Sequence, residues 1–106
     1  MKLVRDRIPE IIIDSGMTPI VSNGKGKHFS FLLYSKLIEE LGEFMDNPCA
    51  EEAADMLEVF TTLLREHDLS LVQVSGVADI KRAQRGGFKS GVVLHEVKDD
   101  RDRKSS

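Results

Sequence analysis

Two amphipathic stretches separated by Asn47-Pro48 constrain this chain more than any other feature. From Phe29 to Asp46, the apolar residues Leu33, Leu37, Leu41 and Phe44 recur at spacings of four, four and three. That pattern places them on one side of a helix. Proline disfavours a helical conformation at the residue before it, so the helix ends at Asn47-Pro48. A second helix is expected from about Cys49 to His67, with Met56, Val59, Phe60, Leu63 and Leu64 as its apolar set. A connection of only a few residues makes such helices antiparallel neighbours.

The flanking segments read as shorter elements. Arg5 to Ser15 is expected to be a helix, with Asp6 as its cap, Pro9 tolerated in the first turn and Gly16 at its end. Met17 to Val21 looks extended. Asn23-Gly24-Lys25-Gly26-Lys27 is a loop by composition and lacks the GxxxxGK[ST] spacing of a phosphate loop. Ser70 can cap a third helix that runs to about Arg85 and stops at Gly86-Gly87. Val92 to Val97 offers a short strand to pair with residues 18–21. The expected fold is therefore mainly α: an antiparallel helical hairpin with flanking helices and, as an option, one small two-stranded β element. Residues 1–98 are expected to form one domain, and 99–106 a charged, disordered tail.

Composition narrows the function classes. The 106 residues are 41% hydrophobic and 31% charged, with a net charge of -3. This balance suits a single globular domain rather than a disordered chain. It also provides no general attraction to nucleic acid or anionic membrane. No apolar run approaches the roughly 20 residues that span a bilayer. The start, MKLVRDRIPEII, has acid and proline where a signal peptide has an apolar stretch, so a cytoplasmic protein is expected. A lone cysteine, Cys49, excludes an internal disulfide and a cysteine-based zinc site. His28, His67 and His95 are scattered and are assigned to no metal.

The chemistry lies in the acids of the hairpin. Glu43 and Glu52 are equally far from the Asn47-Pro48 turn, and so are Glu40 and Asp55. In an antiparallel hairpin these become two level pairs, one helical turn apart. At about 100° per residue, with Glu40 at zero, Leu33, Phe44, Leu37 and Leu41 fall at about 20°, 40°, 60° and 100°. Glu40 thus borders the apolar stripe, and Glu43 lies about 60° away on its other side. On the second helix Glu52 falls between Val59 and Leu63, inside the core-facing arc. An ionised carboxylate costs several kcal/mol to bury unpaired, and clustering like charges adds to that cost. A divalent cation resolves both difficulties. Mg²⁺ suits oxygen donors and commonly retains waters and substrate phosphates, and carboxylates at i, i+3 on facing helices build such sites. Glu39, Glu51, Glu58 and Glu66 read mostly as solvated surface charge.

Glu39-Glu40-Leu41-Gly42-Glu43 followed by Glu52-Ala53-Ala54-Asp55 resembles the EExxE…ExxD signature of the all-α, MazG-like nucleoside triphosphate pyrophosphatases. That superfamily includes phosphoribosyl-ATP pyrophosphohydrolase. KLVRDRIPEII at the start, ADMLEV after the acids and RGGF near the end resemble a subfamily of small MazG-like proteins, so the likeness covers roughly residues 1–97. The eight residues between Glu43 and Glu52 are fewer than is usual there and require a very tight turn.

The resemblance implies Mg²⁺-dependent hydrolysis between the α and β phosphates, giving a nucleoside monophosphate and pyrophosphate; the oxygen donors suit Mn²⁺ as a substitute metal. Glu40, Glu43, Glu52 and Asp55 match its metal ligands, and Glu39 matches the acid that orients or deprotonates water. It also implies a homodimer or homotetramer. Cations must hold the phosphates that the metal leaves free. Lys2, Arg5, Lys81, Arg85 and Lys89 are the candidates; Lys81 and Arg85, four residues apart, share a helix face. Two other readings are phosphoribosyl-ATP hydrolysis and a non-catalytic helical interaction module whose acids bind a cation for stability or bind nothing.

Overall fold

The computed structural model describes residues 2–99. It is mainly α, with four helices in the order α1 (Ile8–Asp14), α2 (Gly26–Asp46), α3 (Ala50–Glu66) and α4 (Leu71–Arg85). The chain divides into two compact units, Met1–Val74 and Ser75–Ser106, with the boundary inside α4. No strand occurs among the described residues: both Met17–Val21 and Val92–Val97 are non-helical and unpaired. The optional β element is thus not formed. Met1 and most of the expected tail, 100–106, lie outside the described residues.

In the first unit α2 and α3 form the hairpin, joined by residues 47–49. Its antiparallel sense is fixed at two levels. The Tyr34 hydroxyl meets Nε2 of His67 at 2.8 Å, and Glu40 of α2 lies beside Asp55 of α3 nearer the turn. Leu33, Leu63 and Leu64 are the buried apolar residues at the open end. Helix α2 begins at Gly26, three residues before the expected Phe29, with Lys25 at its cap position in an extended conformation.

Helix α1 starts later than expected, and Asp6 does not cap it. Arg7 occupies the cap position with a helical backbone and no side-chain hydrogen bond. The reason is local: a cap at Asp6 would serve the amides of residues 8 and 9, but Pro9 has none and the Ile8 N–H already donates to the Arg5 carbonyl at 3.0 Å. Gly16, at φ 91°, closes the helix as expected. The Gly16 and Met17 amides return to the carbonyls of Ile13 and Ile12, which is a Schellman ending. Helix α3 ends the same way with Asp68 at φ 58°; Asp68 N–H donates to Arg65 and Leu69 N–H to Leu64. Ser70 caps α4 as expected, its Oγ accepting the Gln73 amide at 3.1 Å.

The second unit holds most of α4 and the chain after it. Gly86, at φ 82°, stops the helix, and Arg82 pairs with Asp79 at 3.1 Å one turn earlier. Phe88 and Val92 to Leu94 are exposed. Among the described residues, no helix is long and apolar enough to cross a membrane.

Candidate metal centre

The hairpin brings three of the four expected ligands together. Glu40 from α2 and Glu52 and Asp55 from α3 each offer a carboxylate oxygen, all within 4.8 Å of one another. Oxygens bound to one divalent ion at about 2.0–2.6 Å lie roughly 3–5 Å apart, and an all-carboxylate donor set suits a hard cation. Glu40 is only 8% exposed, as expected for an acid bordering the apolar stripe. Glu52 and Asp55 are half-buried one turn apart on α3. Glu43 is exposed and stands outside this trio. Its helical phase accounts for that, since it lies on the side of Glu40 away from the leucines.

Charge neutralisation in the cluster is uneven. Lys36, one turn before Glu40 and itself largely buried, approaches Glu40 Oε1 at 3.3 Å and Glu39 Oε1 at 3.4 Å. Arg5 Nη2 donates to Asp55 Oδ1 at 2.6 Å from the segment that precedes α1. Lys2 lies 3.8 Å from Glu39. No cation lies within ion-pair distance of Glu52 among the described residues. Partial desolvation, then the negative charges of Asp55, Glu43 and Glu40, push the Glu52 carboxyl above its ordinary range. The hydrogen bond to Asp55 raises the Arg5 guanidinium, with further support from the charges of Asp55, Glu58 and Glu40.

A cleft of about 480 Å³ adjoins Glu40 and Asp55. Phe29, Leu33 and Val59 give it an apolar floor; Arg5, Lys36 and Arg65 bring positive charge, and Glu58 a further acid. Sequence reasoning did not single out Lys36, although its signal was present in the i, i+4 spacing to Glu40. Arg65 and the apolar floor had no such signal, because they are defined by how α2, α3 and residues 3–7 come together.

The expected phosphate-binding residues separate into two groups. Lys2 and Arg5 stand at the acids and are paired with Glu39 and Asp55. Lys81 and Arg85 are exposed on α4, and Lys89 is exposed after Gly86-Gly87, all within the second unit. Glu39, the expected water-orienting acid, is exposed and held between Lys2 and Lys36. No family model, curated protein or solved structure matches the chain.

Proposed function

We propose that this chain is an Mg²⁺-dependent nucleotide pyrophosphohydrolase of the MazG-like kind, which cleaves the α–β phosphoanhydride to a nucleoside monophosphate and pyrophosphate. The observation that carries this reading is the meeting of Glu40, Glu52 and Asp55 across the hairpin, with Glu40 buried. Three carboxylates in one place are costly unless cations offset them; Arg5 and Lys36 reach Asp55 and Glu40, and among the described residues no cation reaches Glu52. The bound metal would polarise phosphate oxygens and acidify a coordinated water. Glu39 is the candidate to orient that water because it matches the additional acid of the EExxE pattern. Lys2, Arg5 and Lys36 are the cations paired with the acids and are candidates to meet phosphate oxygens; Lys81, Arg85 and Lys89 are candidates from the sequence alone. The adjoining cleft has a mixed apolar and cationic lining, which suits a nucleotide better than inorganic pyrophosphate.

The active form in this reading is an assembly of two or more copies. Phe31, Tyr34, Ile38, Leu41 and Met45 make an exposed seam on α2 with spacings of three, four, three and four, and Leu57 and Phe60 extend apolar exposure onto α3. That is the heptad spacing with which helices pack into bundles.

The test is an Mg²⁺-dependent screen of nucleoside and deoxynucleoside triphosphates together with phosphoribosyl-ATP, with the products identified. Monophosphate plus pyrophosphate is expected, and chelator should abolish it. Asp55→Asn should lower turnover at least about a hundredfold while helical circular dichroism persists, since even outer-shell changes at metal sites cost 10–100-fold. Preference for phosphoribosyl-ATP would move the substrate to histidine biosynthesis. No turnover of any substrate would leave the helical interaction module as the better reading.

A further inference from the structure

We propose that Arg5 is a built-in stand-in for the divalent cation: it holds Asp55 in the metal-free protein, and metal entry displaces it together with the segment that carries it. The inference rests on the metal centre proposed above and adds a competitor to it. Two of the three acids already have a positive partner, Asp55 with Arg5 at 2.6 Å and Glu40 with Lys36 at 3.3 Å. Together those two unit charges equal the charge of one divalent ion. A metal bridging the same carboxylates would repel both cations at close range.

The two cations differ in their freedom to leave. Lys36 is on the same helix as Glu40, and only 16% of its side chain is exposed. Arg5 reaches Asp55 from outside any helix, across fifty positions of sequence, and 57% of its side chain is exposed. Among the described residues, the first backbone hydrogen bond of the chain is the one from the Ile8 amide to Arg5 itself. Nothing in the backbone ladder therefore fixes residues 2–4, and exchange at Asp55 is the less costly route for an incoming ion. Leu3 to Arg7 also form one wall of the cleft beside Glu40 and Asp55. Release of Arg5 thus loosens that wall where a metal-bound phosphate would arrive, and leaves a guanidinium free to meet it.

The experiment measures Mn²⁺ binding to the full chain by the loss of the free-ion spin-resonance signal, for the wild type, Arg5→Gln and Arg7→Gln. Arg7→Gln makes the same charge change two residues away, where the side chain pairs with Glu10 at 3.2 Å instead. Removal of an exposed ion pair and a nearby repelling charge should tighten Mn²⁺ binding roughly three- to tenfold in Arg5→Gln. Arg7→Gln should stay within about twofold, because screening weakens exposed charges that are not in contact. Binding by Arg5→Gln that equals the wild type or is weaker overturns the proposal and makes Arg5 a support for Asp55, with the metal centre intact. Failure of all three proteins to take up Mn²⁺ overturns the metal centre and the proposal together. An independent readout is the set of Arg5 Nη–H resonances, observed at low temperature, during Mg²⁺ titration of the wild type: displacement requires the Nη2 protons, which donate to Asp55, to shift to a solvent-exposed guanidinium position, and an unchanged signal at saturation counts against the exchange.

Discussion

The open end of the α2–α3 hairpin and its turn end are held by different forces. At the open end Leu33, Leu63 and Leu64 are buried together, Tyr34 is hydrogen-bonded to His67, and α3 finishes in a fully bonded Schellman turn. Toward the turn the helices meet through Glu40, Glu52 and Asp55, and Cys49 opens α3 with no side-chain cap. One end gains from removing apolar surface from water. The other gathers like charges that oppose folding unless cations offset them. Such a division suits a protein that keeps a binding site on a scaffold, because the groups that hold a ligand are seldom those that best stabilise the empty fold.

The sharpest way to break this comparison is to cut into the open end. Leu33 is 2% exposed, and Leu33→Ala should cost about 2–5 kcal/mol, the range for a leucine truncated in a packed interior. With so few buried apolar residues in the hairpin, that loss should shift the denaturant midpoint far down. Glu43→Ala, exposed near the turn, should stay within about 0.5 kcal/mol. Equal losses from the two changes would show that the ends do not differ as described.

The outer face gives a second, smaller contrast. Ile38 is 71% exposed at the middle of the α2 seam, so Ile38→Asp should hardly change the stability of a single copy. If a second copy covers the seam, a charge there should weaken association by about 2 kcal/mol or more, roughly thirtyfold. Sedimentation velocity over a concentration series reads this directly. A wild type that stays monomeric at high concentration, or a variant that associates as tightly, removes the assembly from the functional reading.

Much of the hairpin was legible in the sequence because its signals are local and periodic. The Asn47-Pro48 break, the leucine spacing and the mirrored acids give two helices, their sense and the approach of Glu40 to Asp55. The cap at Ser70 and the stops at Gly16 and Gly86 follow equally local rules. Other features escaped for physical reasons. A helix can be apolar on two sides, and the regular 31–34–38–41–45 seam is hidden behind the stripe through Leu33 and Leu37; Leu41, expected on that stripe, is 44% exposed. The cap expected at Asp6 failed because it depends on a donor that Pro9 lacks. The pairing of Arg5 with Asp55 joins residues fifty positions apart, and no local spacing rule contains it. Mirror symmetry about the turn placed Glu43 level with Glu52, and its charge does act on Glu52, but Glu43 is exposed and is not one of the three acids whose oxygens lie within 4.8 Å of one another.

Protonation of Glu52 sharpens the comparison most finely. Desolvation first, then the charges of Asp55 on α3, Glu43 and Glu40 on α2, and Glu51 on α3, raise its pKa above the ordinary 4.5. A carboxyl raised by folding binds its proton more tightly in the folded chain than in the unfolded one. Between 4.5 and the raised value the folded state therefore holds the extra proton, and stability falls as pH rises through that window. Above the window the penalty is fully present; below 4.5 it is absent, because both states are protonated. Glu52→Gln carries no such charge. Thermal melts in chelator should give matching wild-type and variant curves at low pH, with the variant pulling ahead as pH climbs and then keeping a constant lead. Adding Mg²⁺ at neutral pH should reverse the order, since only the wild type keeps all three ligands and binding raises the apparent stability of the form that binds. A wild type that remains the more stable in chelator at every pH would mean that Glu52 is already compensated and that the turn end stores no unmet charge for a metal to neutralise.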